Sequence, residues 1–75
     1  MFLKTFEING KEVVDANEYV NVAEIKKIYL SEIKDGVWVV AGRPARGEVF
    51  LSEGFTTEAE ARNCLLNLIN EVNRS

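Results

Sequence analysis

The stretch that decides the fold is the C-terminal run TEAEARNCLLNLINEVN, residues 57–73. Apolar side chains recur in it at intervals of three and four residues, the spacing of one face of an amphipathic helix. Thr57 followed by Glu60 fits a capping box at its start, and Thr56 is the alternative cap. Such a helix needs an apolar surface to pack on, so the preceding residues have to supply a sheet. The apolar face of the predicted helix consists of Ala61, Cys64, Leu65, Leu68, Ile69 and Val72.

The N-terminal part of the chain predicts a β-hairpin. Residues 2–8 alternate in polarity and are rich in aromatic side chains, which is typical of a strand. They are followed by Asn9-Gly10, a dipeptide that favours the two-residue hairpin turn because both central positions of that turn need positive φ. The return strand is predicted over residues 11–14, and residues 15–18 are predicted to be the loop that ends it.

Residues 19–25 leave two interpretations open. The segment fits either a strand or the end of a strand followed by one helical turn, and the spacing of Asn21 and Glu24 favours the turn because it matches a capping box. The sequence alone does not decide where the strand ends and the turn begins.

Two further hairpins are predicted before the helix. Residues 26–42 form the first, with a turn at Asp35-Gly36. The loop over residues 43–47, which contains the single proline, closes the second by leading into a strand over residues 48–52. Gly54 then ends the strands before the helix begins.

The predicted elements define the fold class. The chain of 75 residues has room for one small domain, spanning residues 1–75. We expect an α+β fold in which an antiparallel sheet of four to five strands, built from meander-like hairpins, carries the C-terminal α-helix on one face.

Composition excludes several classes of function. The formal net charge is −3, with twelve acidic and nine basic residues, one cysteine and no histidine. Without histidine the commonest metal ligand and the commonest general base are missing, so neither an enzyme nor a metal or cofactor site is predicted. Cys64 lies on the apolar helix face and is interpreted as core. The apolar N-terminal stretch is too short for a signal peptide or a membrane span, and a cytoplasmic protein is expected.

A single helix covers only one face of such a sheet. The opposite face is predicted to be too apolar for contact with water, which marks it as a contact surface. Exchanging the two faces leaves that conclusion unchanged, and the alternative is a monomer in which long charged side chains or residues 19–25 fold over the patch. The helix side is assigned Phe6, Ile8, Ile28, Leu30, Val37, Val39, Val49 and Leu51, and the opposite side Leu3, Tyr29, Ile33, Trp38, Val40 and Phe50.

Protein–protein contact through this face is therefore the predicted function. The partner is a second copy in a homodimer, or a larger bacterial or phage protein for which this chain serves as adaptor or inhibitor. Interface centres favour aromatic residues and arginine. The predicted contact residues are Tyr29, Trp38, Val40 and Phe50, with Arg43 and Arg46 at the rim.

The alternative function is binding of single-stranded nucleic acid through the same face. Arg43 and Arg46 lie on a hairpin tip beside the aromatic strands, and such modules combine cations with aromatic side chains on which bases stack. Against this alternative stands the net negative charge. Basic residues that extend the surface are Lys26, Lys27 and Lys34, and acidic residues in the same strands are Glu32, Asp35, Glu48 and Glu53.

Overall fold

The computed structural model describes residues 1–34 and 36–74. It consists of a five-stranded antiparallel sheet with one C-terminal helix packed on it, so the predicted α+β class is confirmed. The elements in chain order are β1 (Phe2–Asn9), β2 (Glu12–Asn21), a short 3₁₀ helix (Val22–Glu24), β3 (Lys27–Lys34), β4 (Val37–Arg43), β5 (Val49–Phe50) and α1 (Glu58–Arg74).

The last strand in the sequence lies in the middle of the sheet. The strand order is β2-β1-β5-β4-β3, so β5 separates the β1–β2 hairpin from the β3–β4 hairpin. Phe50 pairs with Phe6 of β1 on one side and with Ala41 of β4 on the other. The predicted hairpins are present, whereas their order in the sheet was not predicted.

The N-terminus of α1 has the predicted capping interaction. The backbone N–H of Glu60 donates to Thr57 Oγ1 at 3.2 Å, and Thr57 Oγ1 donates to Glu60 Oε1 at 3.0 Å. These bonds satisfy a donor that a helix start otherwise leaves without a partner. The helix therefore begins at Glu58, and Thr57 is its cap.

Strand β2 is much longer than predicted. The expected loop over residues 15–18 is a β-bulge inside a continuous strand, and the register with β1 shifts between Lys4 and Phe6. Asn17 adopts a φ of 58°, which asparagine tolerates better than most residues, and its N–H donates to Asp15 Oδ1 at 2.8 Å. The prediction of a loop was wrong because loop-forming residues also build bulges.

The segment after β2 resolves the two interpretations of residues 19–25. The strand continues to Asn21, and the 3₁₀ helix follows, with the side chain of Asn21 accepting from the N–H of Ala23 at 3.1 Å. The predicted helical turn and its cap are thus confirmed.

The remaining hairpins agree with the prediction except at their ends. β3 and β4 form the predicted pair, Gly36 has the positive φ that its turn requires, and Asp35 lies outside the described residues. The segment predicted over 48–52 pairs regularly only at Val49 and Phe50. Beyond them, Val40 N–H donates to the hydroxyl of Ser52 at 2.8 Å and not to a backbone carbonyl of the neighbouring strand.

The core lies between the sheet and α1, which packs mainly on β4 and β3. Leu3, Val40 and Leu51 form its centre, with contributions from the helix. The predicted assignment of faces was therefore wrong for Leu3 and Val40, which lie on the helix side. Since side chains alternate along a strand, Trp38 shares the side of Val40, and the residues that lie on the opposite side instead are Phe6, Ile8, Val37 and Val39.

Candidate functional site

The face of the sheet opposite α1, here called the open face, carries a row of aromatic side chains. Residues paired directly across neighbouring strands point to the same side of a sheet. Phe6 pairs with Phe50, Phe50 with Ala41, and Ala41 with Tyr29. Phe6, Phe50 and Tyr29 therefore form one line across four strands, which we call the aromatic row.

Exposed apolar side chains extend the aromatic row over β1 and β2. Phe2 and Ile8 lie an even number of residues from Phe6 on β1, so they share its side of the sheet, and they are 65% and 45% exposed. Tyr19 on β2 pairs with Lys4 on the same side and is 66% exposed. Large apolar side chains that cluster on one uncovered face usually mark a contact site. The open face thus has the composition predicted for an interaction surface, although with a different set of residues.

Lys4 lies within this apolar part as a paired charge. Its Nζ is 2.5 Å from Asp15 Oδ2 and 5.9 Å from the centroid of the Phe6 ring. The hydrogen bond from Lys4, with a second from Asn17 N–H, holds the pKa of Asp15 below its ordinary value, and the same contact raises the pKa of Lys4. Lys4 and Asp15 therefore neutralise each other on the open face.

A change of Lys4 to Gln is expected to raise the pKa of Asp15, because the main group that favours the carboxylate is lost. A depressed carboxyl pKa contributes stability above its ordinary pKa, and that contribution is lost as the pH falls through the pKa in the folded protein. A carboxyl-carbon NMR titration measures the shift. Lys11→Gln, a change at the adjacent hairpin turn, is the control, and an unchanged Asp15 pKa in Lys4→Gln contradicts the pairing.

The opposite corner of the open face is cationic. Arg43 stacks on Tyr29, with its guanidinium carbon 5.6 Å from the ring centroid, and Tyr29 donates its hydroxyl hydrogen to the carboxylate of Glu48. Burial and this hydrogen bond raise the pKa of Tyr29. Lys27 is paired directly across from Arg43, and its side chain makes no hydrogen bond or ion pair within residues 1–34 and 36–74.

Two like charges opposite each other in a sheet repel unless an anion lies between them. Here the pair of Lys27 and Arg43 borders a cleft of about 430 Å³ together with Ile28 and Tyr29. The cations of Lys27 and Arg43 and the ring of Tyr29 therefore line the same cleft. The arrangement suits a carboxylate or another anion beside an apolar group.

The structure brings together half of the predicted contact residues. Tyr29, Phe50 and Arg43 share the open face. Val40 is fully buried and offers no surface to a partner, and Trp38 lies on the helix side, paired with Phe55. Arg46 borders a separate cleft beside the 3₁₀ helix, away from the aromatic row.

The predicted set of contact residues did not include four apolar side chains of the open face: Phe2, Phe6, Ile8 and Tyr19. The alternation within β1 did place the first three on one side of their strand, which was the available signal. What the sequence lacked was the relation between that side and the helix. Tyr19 was missed because β2 was predicted to end before it.

Other candidate sites show no constellation for chemistry. Cys64 is half-buried on α1, and burial together with the carboxylates of Glu53 and Glu71 raises the pKa of its thiol, the opposite of what a nucleophile needs. Within the described part of the chain, no group of three or more His, Cys, Asp or Glu residues is arranged to hold a metal ion. In the same residues, no helix has the length and apolar character to cross a bilayer.

Comparisons with protein-family models, with curated proteins and with solved structures give no significant match to this chain.

Proposed function

We propose that this chain acts without catalysis, by binding a partner protein through the open face. The observation that carries the proposal is that the aromatic row and the exposed apolar side chains share the face opposite α1 with two paired cations, Lys27 and Arg43. Lys27 has no acidic partner among the described residues, whereas Arg43 contacts Tyr29 and lies near Glu48. The partner surface that fits combines apolar side chains with at least one carboxylate. An adaptor or an inhibitor of a larger protein uses such a surface.

A second copy of this chain complements the open face less well than such a partner. A twofold axis across the strands, through the aromatic row, brings Lys27 and Arg43 over Ser31 and Val39 of the other copy. This arrangement supplies no anion to the two cations, so charge complementarity favours a different, acidic partner.

The test uses a synthetic peptide in which leucine and glutamate alternate, and a control peptide with lysine in place of glutamate. We expect the acidic peptide to shift the amide NMR signals of the aromatic row, and the basic peptide to bind much more weakly. Phe6→Ser and Arg43→Gln should each weaken binding by about tenfold, which corresponds to about 1.4 kcal/mol. Asn70→Ser, an exposed change on α1, should leave binding unchanged.

Equal affinity for the two peptides contradicts the proposal, because it removes the role of the cationic pair. Perturbations confined to α1 or to the 3₁₀ helix contradict it as well, since they place the contact on another surface.

Single-stranded nucleic acid is a second candidate, favoured specifically by the stacking of Arg43 on Tyr29 next to Lys27. Asp15 and Glu48 on the same face, and the net charge of −3, disfavour a phosphate backbone. An oligothymidine titrated at two ionic strengths separates the candidates. Nucleic-acid binding releases condensed counterions and falls steeply with salt, whereas binding of the acidic peptide loses only the contribution of the cationic pair and falls less steeply.

A further inference from the structure

The two edges of the sheet differ in how they are protected. At one edge, β2 is interrupted by the bulge at Asn17, and bulges of this kind prevent an edge strand from pairing with another chain. At the other edge, β3 pairs with β4 without irregularity from Lys27 to Glu32, and its own register shift follows that run, between Glu32 and Lys34. Residues 27–32 of the β3 edge therefore form a straight template of six residues with no bulge and no proline.

Hydrogen bonds made by β4 show which backbone groups of β3 are unpaired. Trp38 exchanges both backbone bonds with Phe55, at 2.8 Å each, and Val40 C=O accepts from Leu51 N–H at 2.7 Å. The backbone N–H and C=O groups of Trp38 and Val40 thus point toward β5, and those of the residues between them point toward β3. By the same alternation, the N–H and C=O groups of Ile28, Leu30 and Glu32 point away from β4, to the outside of the sheet.

We infer that this edge is a homodimer interface, in which the β3 strands of two copies pair antiparallel about a twofold axis at Tyr29. The two five-stranded sheets then form one continuous sheet of ten strands. The outward N–H and C=O groups of Ile28 and Leu30 find partners in the other copy. Because the backbone groups of this edge are then paired, the edge no longer provides a template for aggregation with other chains.

Charge and apolar complementarity select this register. With the axis at Tyr29, Ile28 lies opposite Leu30 of the other copy, and Glu32 comes beside Lys26, the residue that precedes β3 and donates its N–H to Arg43 C=O. An axis at Leu30 instead places Ile28 opposite Glu32, so an apolar side chain meets a carboxylate. Like charges opposite each other destabilise a pair of strands, and unlike charges stabilise it.

The position of α1 fits the same dimer. The helix packs mainly on β4 and β3 and so lies roughly one strand spacing, about 4.8 Å, from the proposed axis. The helices of the two copies are then about 10 Å apart, within the range of direct helix packing. Ile69, which borders a groove with Ile28, lies on the flank that faces the axis and would approach its counterpart in the other copy.

This interface uses the backbone edge of β3, whereas the open face presents side chains, and the two adjoin at Tyr29 and Lys27. An axis perpendicular to the sheet keeps both helices on one side and both open faces on the other. The dimer therefore presents two partner-binding surfaces side by side, which allows bivalent binding with a higher apparent affinity.

Sedimentation equilibrium over a wide range of protein concentration tests the dimer and its register. We expect the wild type to form dimers and Glu32→Lys to weaken them at least about tenfold. Lys26→Glu should also weaken them. Combining the two changes should restore most of the affinity, because each new lysine then lies beside a new glutamate.

Glu12→Lys, on the opposite edge, is the matched control and should leave the dimer unchanged; circular dichroism confirms that each variant is folded. A wild type that stays monomeric overturns the inference, as does a double variant no stronger than the single ones. Dimers that survive Glu32→Lys but are lost in Phe6→Ser also overturn it, because they place the second copy on the open face. The peptide titration with Phe6→Ser tests the proposed function independently of these results.

Discussion

Replacing Leu51 by alanine is expected to lower the free energy of unfolding by about 2–5 kcal/mol. Leu51 is 8% exposed and belongs to the centre of the core with Leu3 and Val40. Space around it is tight: a Cβ added at Gly42 would lie 3.0 Å from Leu51 Cδ1. Loss of its side chain leaves a cavity that close-packed neighbours fill only in part. A domain of 75 residues has a total stability of roughly 4–11 kcal/mol, so this single change removes a large share of it.

The matched control is Leu66→Ala, the same chemical change on the outer flank of α1, where the side chain is 53% exposed. Its effect should stay within about 0.5 kcal/mol when measured below the concentration at which dimers form. Urea denaturation followed by circular dichroism gives both values. Equal losses for the two leucines contradict the assignment of Leu51 to the core.

Replacing Ser52 by alanine is expected to destabilise the protein by about 1–3 kcal/mol. Ser52 is buried, and its hydroxyl accepts from Val40 N–H at 2.8 Å and donates to the C=O of Glu53 at 2.9 Å. The hydroxyl thus completes the pairing of β4 where β5 departs from the regular ladder. Without it, a buried backbone donor has no partner, and its lost hydration is not compensated.

Ser31→Ala on the open face is the control for this prediction. The Ser31 side chain is half-buried and makes no hydrogen bond within the described residues, so its removal should change stability by less than about 0.5 kcal/mol. The same urea titration compares the two serines. A Ser52→Ala variant as stable as the wild type shows that Val40 N–H finds another partner, and contradicts the role of the hydroxyl.

The elements decided by short-range chemistry could be predicted from the sequence. The cap of α1 depends on Thr57 and Glu60, three residues apart, and the first hairpin depends on adjacent Asn9 and Gly10. The cap of the 3₁₀ helix at Asn21 is equally local. In each case the residues that determine the conformation are neighbours in the chain, so their pattern is visible without knowledge of the tertiary structure.

The arrangement of the strands was not accessible in the same way. A shift of one residue moves every side chain of a strand to the other face, and β1 and β4 are both apolar enough to be buried on either side. The prediction therefore placed Phe6 under the helix and Val40 outside, the reverse of the structure. Insertion of β5 between the two hairpins depends on long-range pairing, for which the sequence carries no local signal.

For the candidate site, prediction gave the kind of surface and part of its residues. Tyr29, Phe50 and Arg43 were placed together correctly because they belong to hairpins whose turns are readable. The apolar extension over Phe2 and Tyr19 was not predicted, because β2 was expected to be shorter than it is. Whether this surface binds a partner stays a prediction.

The two-residue length of β5 has a consequence for how the molecule folds. Each of the two hairpins contains only contacts between near neighbours in the chain, and hairpins of this kind form within microseconds. Val49 and Phe50 pair with both hairpins, so we expect this connection to form after the hairpins, because closing the intervening loop is the entropically costly step. The rate-limiting barrier should therefore lie in bringing two preformed halves together, and release of this short central strand should be the first step of their separation.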